Sequence, residues 1–360
     1  MSTDNKLAST RAVYTICPVL VASHIAVEKG WLAAEIKKAG GAPQYLWSLP
    51  PENWLAHFTH RRADLFRDGG NIPAIWARSR GEDTRLLGTT FASRGGQILV
   101  RVNSGLRRVA DLKGRRVGLF KRVNRDRVDF WRGTAERGIE SALALAGLKR
   151  KDVRIVNLPV TGPDYPSAIP AKNPAELWWS RHSDLGNNNS AYRTEINALL
   201  AGQVDAIYAS HGHSRVYGAD DEVTAIEDLG RHPDWTLQIA NSPWTLTVSG
   251  ELADQHPRVV IAYLKAVIKA GRWINKNPAE AGAIFAKVIR HWGGGNIARE
   301  IPDYDFVPNL SRRNLAALDL EKQFLLGHGY IKDDFSVSEW AAPQFLEEAL
   351  GGKDKVTPAW

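Results

Sequence analysis

Along the first third of the chain, short apolar runs alternate with longer stretches whose apolar residues recur every three to four positions, the pattern of strands feeding helices. The run ending in Tyr14-Thr15-Ile16 reads as a strand, residues 19–39 as a helix stopped by Gly40-Gly41, 44–49 as a second strand, and 52–66 as a helix that ends at Asp68-Gly69-Gly70. A further helix over 72–80 carries Pro73 in its first turn. Strand, helix, strand, helix in this order predicts a parallel sheet. Strands at 85–91, 97–102 and 116–120, a helix around 136–146, a strand at 153–158, a helix around 192–202 and a strand at 206–210 extend the pattern into a second α/β unit. After strands at 235–239 and 244–249 the chain is mainly helical, over 259–275, 278–292, 312–326 and 340–350. These last helices have no strands of their own, so they are expected to pack on the first unit. The result is a discontinuous domain of 1–95 with 240–360, an inserted domain of 96–239, and two strands crossing near 91–101 and 235–245. Two stretches lack a period. WWSRHSDLGNNNSA at 178–191 reads as a long loop and, with the segment 53–61, as a candidate lid, while HWGGGNI at 291–297 reads as a helix stop and not a phosphate loop.

A chain of 360 residues exceeds one ordinary core, which agrees with two domains, and 44% hydrophobic with 24% charged residues is the balance of a folded globular protein. Its single cysteine excludes an internal disulfide and a Cys-rich structural zinc site, and points to a reducing, cytoplasmic setting. MSTDNKLASTRAVYTICPVL has no basic segment leading into an apolar run, so no signal peptide is expected, and no later run has the length that spans a bilayer. The net charge of +8 suits either nucleic acid or a small anion. In the densest basic run, KGRRVGLFKRVNRDRVDFWRG at 113–133, apolar residues and aspartates break up the charge, so it reads as a solvated face plus a strand, and no nucleic-acid partner is expected.

Candidate chemistry starts from that one thiol. Cys17 precedes Pro18, which favours extended backbone, so it should close a strand where a helix begins, at the end of an open α/β sheet where ligands bind. A thiol at a helix N-terminus near cations has a lowered pKa, whereas a free cysteine elsewhere behaves as a small buried hydrophobe. Arg67, followed by Gly69-Gly70 and a helix start, sets a guanidinium beside free backbone N–H groups, a cradle for a two-oxygen anion; the alternative is a surface arginine next to a helix cap. His57, with His60 one turn on, could exchange a proton with the thiol near neutral pH. Trp131, Trp178, Trp179 and Trp244 are candidates for an aromatic pocket, although ring-rich stretches are usually core. His211-Gly212-His213 has no carboxylate at ligand spacing, and no lysine stands in a pyridoxal setting, so neither metal nor cofactor is expected.

The stretches Tyr14-Thr15-Ile16-Cys17-Pro18-Val19, His57-Phe58-Thr59, Arg67-Asp68-Gly69-Gly70-Asn71-Ile72-Pro73, Gln323-Phe324-Leu325-Leu326 and Trp340-Ala341-Ala342-Pro343-Gln344-Phe345-Leu346 resemble the 2'-hydroxybiphenyl-2-sulfinate desulfinases, which act last in removing sulfur from dibenzothiophene. Leu86-Leu87-Gly88-Thr89-Thr90 and Asp111-Leu112-Lys113-Gly114-Arg115-Arg116-Val117-Gly118 extend the likeness over nearly the whole chain. The resemblance implies a periplasmic-binding-protein-like (type II) fold, two α/β domains with the site between them, and a monomer. It also implies cofactor-free hydrolysis of an aryl carbon–sulfur bond to a phenol and sulfite. Cys17 then matches the family's essential cysteine, His57 its active-site histidine, Arg67 its sulfinate-binding arginine and Gly70 the glycine whose N–H holds the sulfinate, with Thr15 beside them as a substrate-binding residue. Cys17 would act either as a nucleophile on sulfur or as a general acid toward the ring carbon. The family pattern has Tyr at His60 and Phe at Asp68, and a longer, less basic stretch between Phe120 and Ala146, which leaves the choice among aromatic sulfinates open. The rival reading is a solute-binding protein for an organic anion, which would have no need of Cys17. A transcription-factor effector domain lacks its helix-turn-helix.

Overall fold

The computed structural model describes residues 10–91, 95–124, 126–160, 170–180, 193–210, 221–289 and 294–351. Two five-stranded sheets organise them. The first runs in the order β2-β1-β3-β10-β4, from β1 (Thr10–Ile16), β2 (Gly41–Tyr45), β3 (Leu65–Gly69), β4 (Thr84–Thr90) and β10 (Trp244–Ser249). The second repeats that arrangement as β7-β6-β8-β5-β9, from β5 (Gly96–Arg101), β6 (Arg116–Arg122), β7 (Arg154–Val160), β8 (Ala206–Ser210) and β9 (Val223–Asp228). Both sheets are mixed and not parallel as the element order predicts: β10 is antiparallel to β3 and β4, and β5 to β8 and β9. The cause is the double crossing. β4 leaves the first sheet for the second and β10 returns from it, so the returning strand enters from the end at which its neighbours leave.

Helices cover both faces of each sheet. On the first, α1 (Ala22–Glu28), α2 (Trp31–Lys38) and the 20-residue α9 (Pro257–Lys276) bury one face around Phe66, Tyr263 and Val267. The other face carries α4 (Asn71–Ser79) and α12 (Arg312–Gly327) around Ile72, Ile75, Leu318 and Leu325. In the second sheet α5 (Phe130–Leu145) packs over Ile98, Leu119 and Tyr208, and α7 (Thr194–Leu200) covers the opposite face near Leu158 and Ile207. The C-terminal helices thus pack on the first sheet. Helix α5 also bridges the units, with Arg137 Nη1 donating to the Leu320 carbonyl at 3.2 Å and Tyr330 Oη donating to Glu136 at 2.6 Å.

Several local readings change. The helix expected over 19–39 breaks at Gly30, whose φ of +71° is left-handed and ends one helix and starts the next. Residues 52–66 are not one helix: a single turn, α3 (Ala56–Thr59), stops at His60 with φ 58°, and the chain then enters β3. The second strand lies earlier, at Gly41–Tyr45, and residues 46–48 form a 3-10 turn. Residues 235–238 are also a 3-10 turn and not a strand, because the Asp234 carboxylate accepts the Thr236 N–H at 2.9 Å and nucleates it. Strand β9, largely half-buried and without a clear alternation, is absent from the sequence reading. Of the expected loop at 178–191, residues 178–180 end the helix Pro174–Ser180 and the remainder lies outside the described residues. In HWGGGNI, Gly294 opens a helix, Gly294–Glu300, where a helix stop is predicted.

Candidate active site

Strand β3 reads Leu-Phe-Arg-Asp-Gly and is buried along its whole length. Burying an arginine and an aspartate side by side is expensive unless each is paired, and the pleat sends them to opposite faces. Arg67, 1% exposed, is no surface residue: it reaches forward to the end of β1, where its Nη2 donates to Cys17 Sγ at 3.2 Å, its Nε to the His57 carbonyl at 3.3 Å and its Nη1 to the Gly70 carbonyl. Asp68 faces back, where Ser23 Oγ donates to its carboxylate and Tyr263 Oη in turn donates to Ser23 at 3.4 Å. Burial raises Asp68 to about 6, with the Ser23 hydrogen bond and the Arg67 charge pulling against it.

Cys17 follows the last residue of β1, as its place before proline predicts, and its N–H is held by the Asp68 carbonyl at 2.9 Å. The helix start is displaced, however: α1 opens at Ala22, so the thiol is not in its first turn. The expected lowering of its pKa is accordingly reversed. Burial pushes the Cys17 thiol up, the Arg67 charge and the Gly70 N–H pull it back, and the Asp68 charge adds to the rise. Gly69 lets the backbone pass this close, since a Cβ there would lie 2.3 Å from Cys17 Sγ.

The third wall is the buried segment from Trp54 to His60, which forms part of the site's lining and not an exposed flap. His57 Nε2 lies 3.4 Å from Cys17 Sγ and its Nδ1 2.8 Å from Thr15 Oγ1, while Trp47 Nε1 donates to that hydroxyl at 3.2 Å. With Trp47 donating to Thr15, the hydroxyl proton is available to His57 Nδ1, and Nε2–H then faces the sulfur. His60 is buried near Arg67, and both burial and that charge keep it neutral. Thr15, Cys17, His57, Arg67 and Gly70 therefore converge on one point, from three segments up to 55 residues apart (70 − 15).

The aromatic surroundings are only partly those expected. Phe58 packs edge-on to His57 at 4.7 Å and stacks on Phe130 of α5 at 5.9 Å, with the Arg127 guanidinium over its ring at 3.6 Å. Trp131 adjoins Phe130 at 5.2 Å, whereas Trp178 and Trp244 pack against the core of the first sheet, and the Trp179 side chain lies outside the described residues. Trp47 and Asn241 adjoin the site but carry no local sequence signal, whereas Phe130 could have drawn notice as half of the aromatic pair Phe130-Trp131 at a helix start. The backbone cradle is also narrower than predicted. Of the first N–H groups of α4, those of Asn71 and Ile72 are taken by Asn241, and Pro73 has none. His211 and His213 lie outside the described residues, and among those described no group of three or more His, Cys, Asp or Glu side chains could hold a metal ion. No helix among the described residues is long and apolar enough to cross a membrane.

Two mixed sheets of one topology, with the Cys17, His57 and Arg67 cluster at the strand ends of the first and the start of α5 of the second stacked beside it through Phe58 and Phe130, have the architecture of the periplasmic-binding-protein-like class. Solved structures agree. The alkanesulfonate-binding protein SsuA from Xanthomonas axonopodis pv. citri, bound to MOPS, superimposes with a TM-score of 0.62 at 17% identity over 93% of this chain and 98% of that one. A cysteine-to-serine mutant of the desulfurization enzyme DszB, in complex with biphenyl-2-sulfinic acid, gives 0.71 at 24% identity over 96% of this chain and 99% of that one. At the level of sequence, the chain is 29% identical over 364 aligned positions to the 2'-hydroxybiphenyl-2-sulfinate desulfinases of Rhodococcus erythropolis and Rhodococcus qingshengii, covering 94% of this chain and 93% of each relative. No family model matches the chain.

Proposed function

We propose that the protein is a cofactor-independent aryl sulfinate desulfinase that hydrolyses the carbon–sulfur bond of 2'-hydroxybiphenyl-2-sulfinate or a close aromatic sulfinate. The observation that carries this reading is the thiol of Cys17 set between Arg67 Nη2 at 3.2 Å and His57 Nε2 at 3.4 Å, in a chain that matches desulfinases along nearly its full length. A protein that only binds an anion needs the guanidinium but not the thiol. In this reading Arg67 and the Gly70 N–H hold the two sulfinate oxygens, charge-assisted hydrogen bonds being the strong ones, and the Phe58–Phe130 pair receives the rings.

The raised pKa of Cys17 favours the general-acid version of the chemistry over attack by a resting thiolate. The thiol protonates the ring carbon that bears sulfur, the electron pair of the C–S bond stays with the ring, and sulfur dioxide leaves. Arg67, the Gly70 N–H and His57 Nε2 then face the thiolate and stabilise it. Water adds to sulfur dioxide to give hydrogen sulfite, and the proton so released returns to Cys17 through His57. The sum is one sulfinate plus one water giving one arene and one hydrogen sulfite. The test is a time course with 2'-hydroxybiphenyl-2-sulfinate and no added cofactor. Equal amounts of 2-hydroxybiphenyl and sulfite are expected; tight binding with neither product would make the protein a binding protein. The cytoplasm is the compartment this single-thiol chemistry suits.

A further inference from the structure

Gly70 lies at the N-cap of α4, where Ser, Thr, Asp or Asn would normally accept a first-turn N–H, and a glycine has no side chain to do so. The missing cap comes from 170 residues away. Asn241, on the segment that returns from the second sheet to the first, accepts the Ile72 N–H on its Oδ1 at 2.9 Å and the Asn71 N–H on its backbone carbonyl at 3.4 Å. Its own N–H donates to the buried carboxylate of Glu321 at 3.1 Å, which fixes it to α12. Its carboxamide fills the space beside Gly70 so completely that a Cβ on that glycine would lie 2.4 Å from Asn241 Nδ2. The backbone of Asn241 itself is left-handed, with φ 59°, a conformation asparagine tolerates better than most residues.

We propose that Asn241 is a positioning residue for the thiol: it caps α4 in place of Gly70, and by pressing on Gly70 it holds the Gly69-Gly70 turn, with the Gly70 N–H and the carbonyl that Arg67 Nη1 serves, against the Cys17 sulfur. Two consequences follow from the geometry. The cap consumes the helix's own free N–H groups, so the Gly70 N–H is the only backbone donor this turn offers the sulfur or a bound sulfinate. The donor's placement also depends on the segment joining the two units. The charged and titratable groups around the thiol are Arg67 and Asp68 on β3, His57 on α3, His24 on α1, whose Nε2 lies 2.8 Å from the Cys17 carbonyl, and, more remotely, Tyr45 on β2; Asn241 reaches this set through Gly70, whose carbonyl accepts Arg67 Nη1.

The inference rests on the desulfinase reading only for its activity arm. Its primary readout is the pH dependence of Cys17 alkylation by iodoacetamide in the whole protein. Asn241→Ala removes the cap and frees Gly70, so the alkylation midpoint moves up by half a pH unit or more and sulfite release falls about tenfold. Asn241→Asp keeps an acceptor for the Ile72 N–H at a helix N-terminus that welcomes negative charge, so it folds with an unchanged or higher Tm. It nevertheless sets an anion beside Gly70 and moves the alkylation midpoint up as well. A role in folding alone predicts a lower Tm for Asn241→Ala, a normal Tm for Asn241→Asp and wild-type alkylation profiles for both; that result overturns the proposal. Absence of sulfite from the wild type overturns the desulfinase reading and leaves the alkylation test of Asn241 intact.

Discussion

The two sheets share one strand order, but the strand ends they turn toward each other differ in kind. In the first, β1 ends at Ile16, just before Cys17, and β3 ends in Arg67-Asp68-Gly69, with the charged pair inside a wholly buried strand. Their topological counterparts in the second, β6 and β8, end in Lys121-Arg122 and Ala209-Ser210, and β8 is apolar until its last residue. One topology thus brings both sets of ends to the junction. In the proposed chemistry the reactive side chains belong to the first sheet and the segment beside it, while the second unit contributes surface: Phe130 at the start of α5, stacked on Phe58, and Trp131 next to it. The same fold serves an alkanesulfonate-binding protein, so the fold alone does not supply the proposed reactivity.

That division predicts a graded response. The largest effect belongs to the first sheet: Arg67→Lys keeps the charge but cannot serve Cys17, His57 and Gly70 together. Losing one charge-assisted hydrogen bond of about 1.5–3 kcal/mol should lower kcat/KM for sulfite release by roughly 10- to 100-fold, with folding checked by circular dichroism. A fall of less than threefold would show that the guanidinium does not hold the sulfinate. On the second sheet's side, Phe130→Ala removes a stack worth about 0.5–1.5 kcal/mol. KM for a biphenyl sulfinate should rise several-fold with kcat little changed, and benzenesulfinate, with no second ring, should be unaffected; equal losses on both substrates would break the assignment of this wall to the rings.

The smallest effect on activity is expected behind the sheet. The carboxyl of Asp68 is raised from 3.8 to about 6, so the folded state holds its proton more tightly than the unfolded chain does. The stabilisation this gives is full below pH 3.8 and is lost as pH rises to about 6, a loss on the order of 3 kcal/mol. Asp68→Asn accepts the same Ser23 hydrogen bond and does not ionise. Its Tm relative to wild type should therefore climb between pH 4 and 7, and a difference that is flat with pH would contradict the burial assigned to this carboxyl.

Much of the framework was legible in the sequence. Strands β8 and β10 follow the apolar runs Ala206–Ser210 and Trp244–Ser249 to the residue, because Val204-Asp205 and Ser242-Pro243 mark their starts. The stretch 52–66 was not, since Trp54, Leu55, Phe58 and Leu65 mimic a helical period and the break at His60 is a left-handed residue with no glycine to signal it. That error turned Arg67 from a buried strand residue into a turn residue. In the candidate site, Cys17, His57, Arg67 and Gly70 could be picked out through family resemblance and residue chemistry. Asn241 could not, because its partners Asn71 and Ile72 are some 170 residues away and nothing near it in sequence suggests a cap. Of the two readings open for Cys17, the thiol lowered by a helix N-terminus does not hold, because α1 begins only at Ala22 and the loss of solvent around the sulfur outweighs the Arg67 charge.

The central claim is that Cys17 performs the bond cleavage while Arg67 and Gly70 hold the substrate. Calorimetric titration of Cys17→Ser with 2'-hydroxybiphenyl-2-sulfinate, followed by a sulfite assay on the same sample, separates the two roles. The account predicts binding within a few-fold of the wild-type KM and no sulfite above the buffer blank. Sulfite released by Cys17→Ser at the wild-type rate would contradict it.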